Sequence, residues 1–227
     1  LMSILVRAVE KISNTQGTYH DFPRDKFDSR ALKPLFLEPP AFDSVLVGGT
    51  HMAGNAEDSL VFADYAPPMD VLYLDPPYNF RQYTSYYFLP NLLCRYPYID
   101  DLNIYFSKIQ FVRGQNMEDD FSSTFCKKSS FIRDLGSLVE KTSCETVILS
   151  YFNGTNHWNK FKEDCNGDGY WAVCDFFEGN TFQSGSVEVR PVERTNYQSY
   201  GGYKARQVDE YLFIAKKAKS ACIGTAV

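Results

Sequence analysis

The sequence predicts an α/β fold, and three observations carry that expectation. Two compact apolar runs, residues 69–74 and 146–152, read as buried strands. Between them Phe131, Ile132, Leu135, Leu138 and Val139 form a helical stripe over 130–141. Residues 186–193 and 208–215 alternate or run apolar, and are expected to pair across the polar loop 194–207. Strand, helix, strand, helix and a closing strand pair make an α/β layout.

The elements follow in chain order. Leu1, Ile4, Leu5, Ala8, Val9 and Ile12 recur at helical spacing, so residues 1–13 read as an amphipathic helix. The chain opens on Leu1 inside that helix, which reads as a chain missing upstream sequence. Residues 13–44 are loop-like, punctuated by Asn14, Gly17, Pro23, Pro34, Pro39 and Pro40. Residues 45–47 suggest a short strand that ends at Gly48-Gly49, and 59–63 a helical turn. A helix is expected over 82–94, where Tyr83, Tyr86, Tyr87, Leu89 and Leu93 cluster and Pro90 must mark a kink or a boundary. Residues 95–128 read as irregular. Trp158, Phe161 and Cys165 mark a helix at 156–165, and 170–177 reads as another strand. One domain is expected over 1–215, with a fraying, small and polar tail at 216–227.

Composition narrows the function classes. A chain of 227 residues with 44% hydrophobic content can bury a core, which excludes disorder throughout. No run approaches the roughly 20 apolar residues of a membrane helix. Arg7, Glu10 and Lys11 interrupt the apolar N-terminus too early for a secretory signal. The net charge of -5 excludes a basic surface over the whole molecule. Six cysteines without a C-x-x-C pair read as reduced thiols in a cytoplasmic protein, and the three scattered histidines match no metal spacing. The 16 Tyr and 18 Phe either fill a core or stack on nucleobases.

The sharpest feature is Asp75-Pro76-Pro77-Tyr78-Asn79, directly after the run Val71–Leu74. Ligands of α/β sheets bind where parallel strands end. The two prolines lack N–H groups and stiffen the turn, so its carbonyls are left as acceptors. Asp75 adds a carboxylate acceptor and Tyr78 a flat face. This set suits a planar ligand with an exocyclic amino group, such as adenine.

Leu72-Tyr73-Leu74-Asp75-Pro76-Pro77-Tyr78 resembles the signature of N6-adenine DNA methyltransferases. The longer string from Tyr73 to Tyr87 is similar to the D12-class, Dam-related branch, particularly enzymes of restriction–modification systems. Residues 13–19, 123–128, 148–153 and 208–214 resemble further family segments in the same order, so the likeness runs over nearly the whole chain up to the tail. The resemblance implies a Rossmann-like sheet and methyl transfer from S-adenosyl-methionine to N6 of a flipped adenine in double-stranded DNA. It implies that Asp75 and the Pro76 carbonyl accept from the N6 amino group, with Pro77 shaping the turn and Tyr78 stacking on the base.

The remaining site residues keep two readings each. Asp58, Glu57 and Asn79 are expected near the cofactor, although Glu57 and Asp58 equally suit a solvated helix start. Arg81 suits a phosphate, the cofactor carboxylate or a surface ion pair. Tyr83, Tyr86 and Tyr87 line the base pocket or fill a core. Lys127, Lys128, Arg190, Arg194, Lys204 and Arg206 meet DNA phosphates or are scattered solvent charges. Residues 95–128 are a candidate target-recognition insertion.

The family carries a Phe-x-Gly-x-Gly loop around the methionine part of the cofactor, and no such loop stands in this sequence. Gly48-Gly49 and Gly54 lie in the wrong place for it. The expectation is therefore a sheet incomplete on its N-terminal side. The alternative function is a non-catalytic DNA-binding piece, or a subunit whose cofactor half lies elsewhere. Residues 34–80 hold seven acids and no Lys or Arg, which leaves a net +2 for the rest of the chain. A DNA-facing surface outside that segment is compatible with the overall charge.

Overall fold

The computed structural model describes residues 2–14, 26–39, 41, 48–49, 54, 58–79, 82–108, 122–152, 157–158, 167–195 and 207–218. Their elements, in chain order, are α1 (Met2–Ile12), α2 (Ser59–Phe62), β1 (Met69–Leu74), α3 (Tyr83–Tyr86), α4 (Phe88–Arg95), α5 (Leu102–Ser107), α6 (Lys128–Lys141), β2 (Cys144–Phe152), α7 (Asp168–Phe177), β3 (Glu188–Thr195) and β4 (Gln207–Lys216). The chain divides into two compact units, residues 1–53 with 82–122 and residues 54–81 with 123–227. The expected strand at 45–47 and most of the expected helix at 156–165 lie outside the described residues.

In the first unit, α1 turns Ala8 inward with Leu5, Val9 and Ile12 half-buried beside it, and leaves Arg7, Glu10 and Lys11 exposed. Lys11 pairs with Glu38, which holds the Glu38 carboxyl below the usual carboxylate range. The helix expected over 82–94 is two helices, α3 and α4, with Tyr87 between them at φ -100 and ψ 23. Pro90 is the third residue of α4, where its missing N–H breaks no bond of the helix. The segment from 95 is not irregular throughout. A 3-10 turn spans Tyr96–Tyr98, and Asp101 caps α5 by accepting from the amides of Asn103 (2.8 Å) and Ile104 (3.0 Å).

The second unit holds a four-stranded sheet in the order β1-β2-β4-β3. β1 and β2 are parallel, with Leu74 opposite Leu149. β2 with β4, and β4 with β3, are antiparallel, as expected of the closing pair. Pro191 lies in β3, at the edge, where a missing donor is tolerated. Helices α6 and α7 cover one face. They bring Phe131, Leu135, Val139, Val173 and Phe177 against Leu74, Val147, Leu149, Phe213 and Ala215.

Two expectations are corrected here. Residues 170–177 are helix α7, not a strand. Gly169, Val173 and Phe177 are its buried residues, four apart and so on one helical face, and the continuous apolar run hid that period. Strand β1 is not buried on both faces: Val71 is 49% and Tyr73 57% exposed, because β1 ends the sheet and both helices lie on the other face. Strand β4 runs to Lys216. Beyond it the amide of Lys217 donates to the Glu145 carbonyl and that of Ala218 to Thr181, both at 2.8 Å. Residues 219–227 lie outside the described residues.

Candidate active site

The parallel pair β1–β2 sends both strands out at one carboxyl edge, and Asp75-Pro76-Pro77-Tyr78-Asn79 leaves β1 there. Asp75 is exposed, and Pro76, Pro77, Tyr78 and Asn79 are half-buried. The Tyr78 ring rests against Phe152, the last residue of β2, with centroids 5.1 Å apart and planes tilted by 44°. Tyr78 also packs on the edge of the core. Sequence reasoning found the turn and missed Phe152. Its signal was its place at the end of the apolar run 146–152, inside the segment 148–153 that resembles the family.

The neighbouring strand brings a polar pair to the same edge. Ser150 is 2% exposed, and its hydroxyl donates to Glu210 Oε1 of β4 at 2.7 Å. Glu210 stands directly opposite Phe152 in the strand register. Sixty residues separate these two polar groups in the chain, and only the strand register brings them together.

Helix α6 returns to β2 through residues 142–143 alone, so it runs against β2 and starts at the carboxyl edge. Lys127 and Lys128 sit at that start and are exposed. The Lys128 ammonium lies 5.8 Å over the Trp158 ring. Beneath them a ring cluster closes the edge of the core. Phe131 meets His157 at 4.6 Å, Tyr151 at 5.6 Å and Trp158 at 6.0 Å. His157 is buried, and Nε2 lies 2.8 Å from the Phe125 carbonyl. A carbonyl only accepts, so Nε2 carries the proton. Burial pushes the His157 pKa down to about 4.

The other expected residues are dispersed. Asp58 caps α2, accepting from the Leu60 amide at 2.8 Å. That helix is fastened to the C-terminal end of α6, where Lys141 donates to the Leu60 carbonyl and pairs with Asp64 at 2.8 Å. Asp58 thus stands at the start of a short helix whose Leu60 carbonyl is held from the end of α6. Tyr83 lies in the first unit, exposed and edge-on to Tyr87 at 5.6 Å. Glu57, Arg81, Lys204 and Arg206 lie outside the described residues. Arg190 forks onto Glu188 within β3, through Nε at 2.6 Å and Nη2 at 3.1 Å. A built-in Cβ at Gly48 or Gly49 would meet nothing within 4 Å, so neither residue forms a close cradle. No described helix is long and apolar enough to cross a membrane.

A rigid acceptor turn with a braced aromatic, at the carboxyl edge of a mixed α/β sheet, is consistent with a methyltransferase fold. The chain belongs to the D12 class N6 adenine-specific DNA methyltransferase family, whose model matches residues 1–140. It is similar to the type II methyltransferase M.NlaIII of Neisseria lactamica, at 32% identity over 67% of this chain and 41% of that protein. It is also similar to the type II methyltransferase M.FokI of Planomicrobium okeanokoites, at 33% over 66% of this chain and 21% of that protein. A likeness to the modification methylase StsI of Streptococcus sanguinis covers 96% of this chain and 29% of that protein, at 25% identity. The chain thus spans well under half the length of each of these relatives. No solved structure matches it.

Proposed function

We propose that this chain carries the target-base side of an enzyme that methylates N6 of adenine in DNA, within a restriction–modification system. The observation that carries the reading is the Asp75–Tyr78 turn at the end of a parallel strand, with its tyrosine braced from β2. In this reading the Asp75 carboxylate and the Pro76 carbonyl accept from the exocyclic amino group. Hydrogen bonds to these acceptors keep lone-pair density on nitrogen and aim it at the methyl donor, and Asp75, exposed to solvent, relays outward the N6 proton that methylation displaces. Tyr78 stacks on the flipped base, a contact worth about 1–3 kcal/mol. Lys127 and Lys128, exposed at the same edge, and Arg81 contact phosphates. Positioning does most of the chemistry, and no base of unusual pKa is needed. A cognate restriction endonuclease is the expected functional partner, and the cytoplasm the expected compartment.

The methyl donor is S-adenosyl-methionine, whose sulfonium supplies an activated methyl group when bound. The described residues fit only part of it. Asn79 offers a carboxamide at the right edge, Asp58 a carboxylate already engaged as a helix cap, and the glycines at 48–49 no cradle.

The test is methyl transfer by the full gene product to adenine-containing duplex DNA. Asp75→Ala should abolish it, and a wild-type rate in that variant would overturn the site. A second reading is favoured by the sheet itself. On the face opposite α6 and α7, the edge-strand side chains Val71, Tyr73 and Val192 are 45–57% exposed. On that reading the sheet is one part of a Rossmann-like whole, and its cofactor half lies on other sequence. Calorimetry of this chain with S-adenosyl-methionine decides: tight binding by the chain alone sinks the second reading.

A further inference from the structure

We infer that Phe152 is a positioning residue for Tyr78, and that the Ser150–Glu210 hydrogen bond holds Phe152 in place. This rests on the function proposed above. The turn around Pro76 and Pro77 stiffens the backbone before Tyr78, but it leaves the ring's own torsions to be set by neighbours. Phe152 supplies that neighbour, 6% exposed and 5.1 Å from the Tyr78 centroid.

Phe152 is the last paired residue of β2, where a strand would fray. Glu210 stands directly opposite it, and reaches back along the same face to accept from Ser150, two residues earlier. One β4 side chain thus ties down the last turn of the β2 pleat on the face shared with Phe152. The bond is charge-assisted, since the acceptor is a carboxylate, and Ser150 is buried, so water competes poorly for its hydroxyl. A stacking ring held at a fixed tilt orients the base; a loose one binds it without aligning N6.

The experiment uses the full gene product and two duplexes, one natural and one with 2-aminopurine at the target adenine. Unfolding midpoints are recorded for every variant. Phe152→Ala is expected to lower kcat by about 10-fold to 100-fold, as a displacement near 1 Å does. KM for DNA should stay near wild type, because phosphate contacts set it. Emission of the flipped 2-aminopurine, quenched by stacking in the wild type, should rise. Glu210→Ala should shift the same readouts in the same direction, and Glu210→Gln, which keeps the acceptor oxygen, should restore them. If Phe152→Ala does not fold, Phe152→Leu, close to it in volume, is read by the same measures. An active wild type with Phe152 variants unchanged in kcat and emission overturns the inference alone. A wild type that does not methylate adenine in the natural duplex overturns the function reading and this inference with it.

Discussion

The ammonium of Lys217 closes the C-terminal end of helix α6 from 75 residues away. Its Nζ donates to the Thr142 carbonyl at 2.6 Å, to Val139 at 2.6 Å and to Glu140 at 3.3 Å. The last carbonyls of a helix lack intrahelical donors, and a cation there also suits the helix dipole. Lys217→Met should cost about 1–3 kcal/mol by urea unfolding. An unchanged midpoint would show that water replaces the ammonium without loss.

Acid should weaken the fold through His157. Its folded pKa, about 4, lies below the ordinary 6.5, because burial disfavours the charged ring. The neutral ring is the one that folding favours. The stabilisation is therefore complete above about 6.5 and declines as pH falls toward 4, where the unfolded chain binds the proton first. The loss across that window is on the order of 2 kcal/mol. Unfolding midpoints at pH 7 and pH 4.5, compared between wild type and His157→Gln, measure it. Parallel curves would remove His157 from the acid sensitivity.

Cysteine reactivity should separate by burial. Cys126 is buried, and desolvation pushes its thiol up to about 11, so little thiolate forms near neutral pH. Cys94 is exposed. Iodoacetamide at pH 8 in the native state should label Cys94 and spare Cys126, as peptide mass spectrometry would read. Fast labelling of Cys126 would mean that the turn before α6 opens readily.

The two lysines at the start of α6 should report DNA contact through salt. If each meets one phosphate, Lys127→Gln and Lys128→Gln each reduce the slope of log affinity against log salt by about 1. Lys128 also lies over Trp158, so its variant should change Trp fluorescence. Unaltered slopes in both variants would place the phosphate contacts elsewhere.

Much of the frame was legible in the sequence. The strand at 69–74 reads directly, because its apolar run is short and bounded by prolines. Helix α6 reads directly as well, because Phe131, Leu135, Leu138 and Val139 recur at the helical period. The Asp75–Tyr78 turn was legible for a different reason: its chemistry is local, carried by five consecutive residues. Helix α7 was not legible. Tyr170, Trp171, Ala172, Val173 and Cys174 are apolar without a break, and such a run does not say which residues face inward.

The sequence by itself determined which segments form the four strands and the main helix, and which turn carries the acceptors and the tyrosine. Periodicity and turn chemistry act between near neighbours, so they survive in one dimension. Tertiary structure alone decided which partners complete them. Phe152 stands beside Tyr78 because β2 lies parallel to β1, and Glu210 reaches Ser150 because β4 runs antiparallel to β2. Lys217 caps α6 because β4 ends beside the helix's last turn. Each partner is a group whose polar or aromatic need could be met by many residues in the chain. Only the strand order, set by burying one face of the sheet under α6 and α7, selects among them.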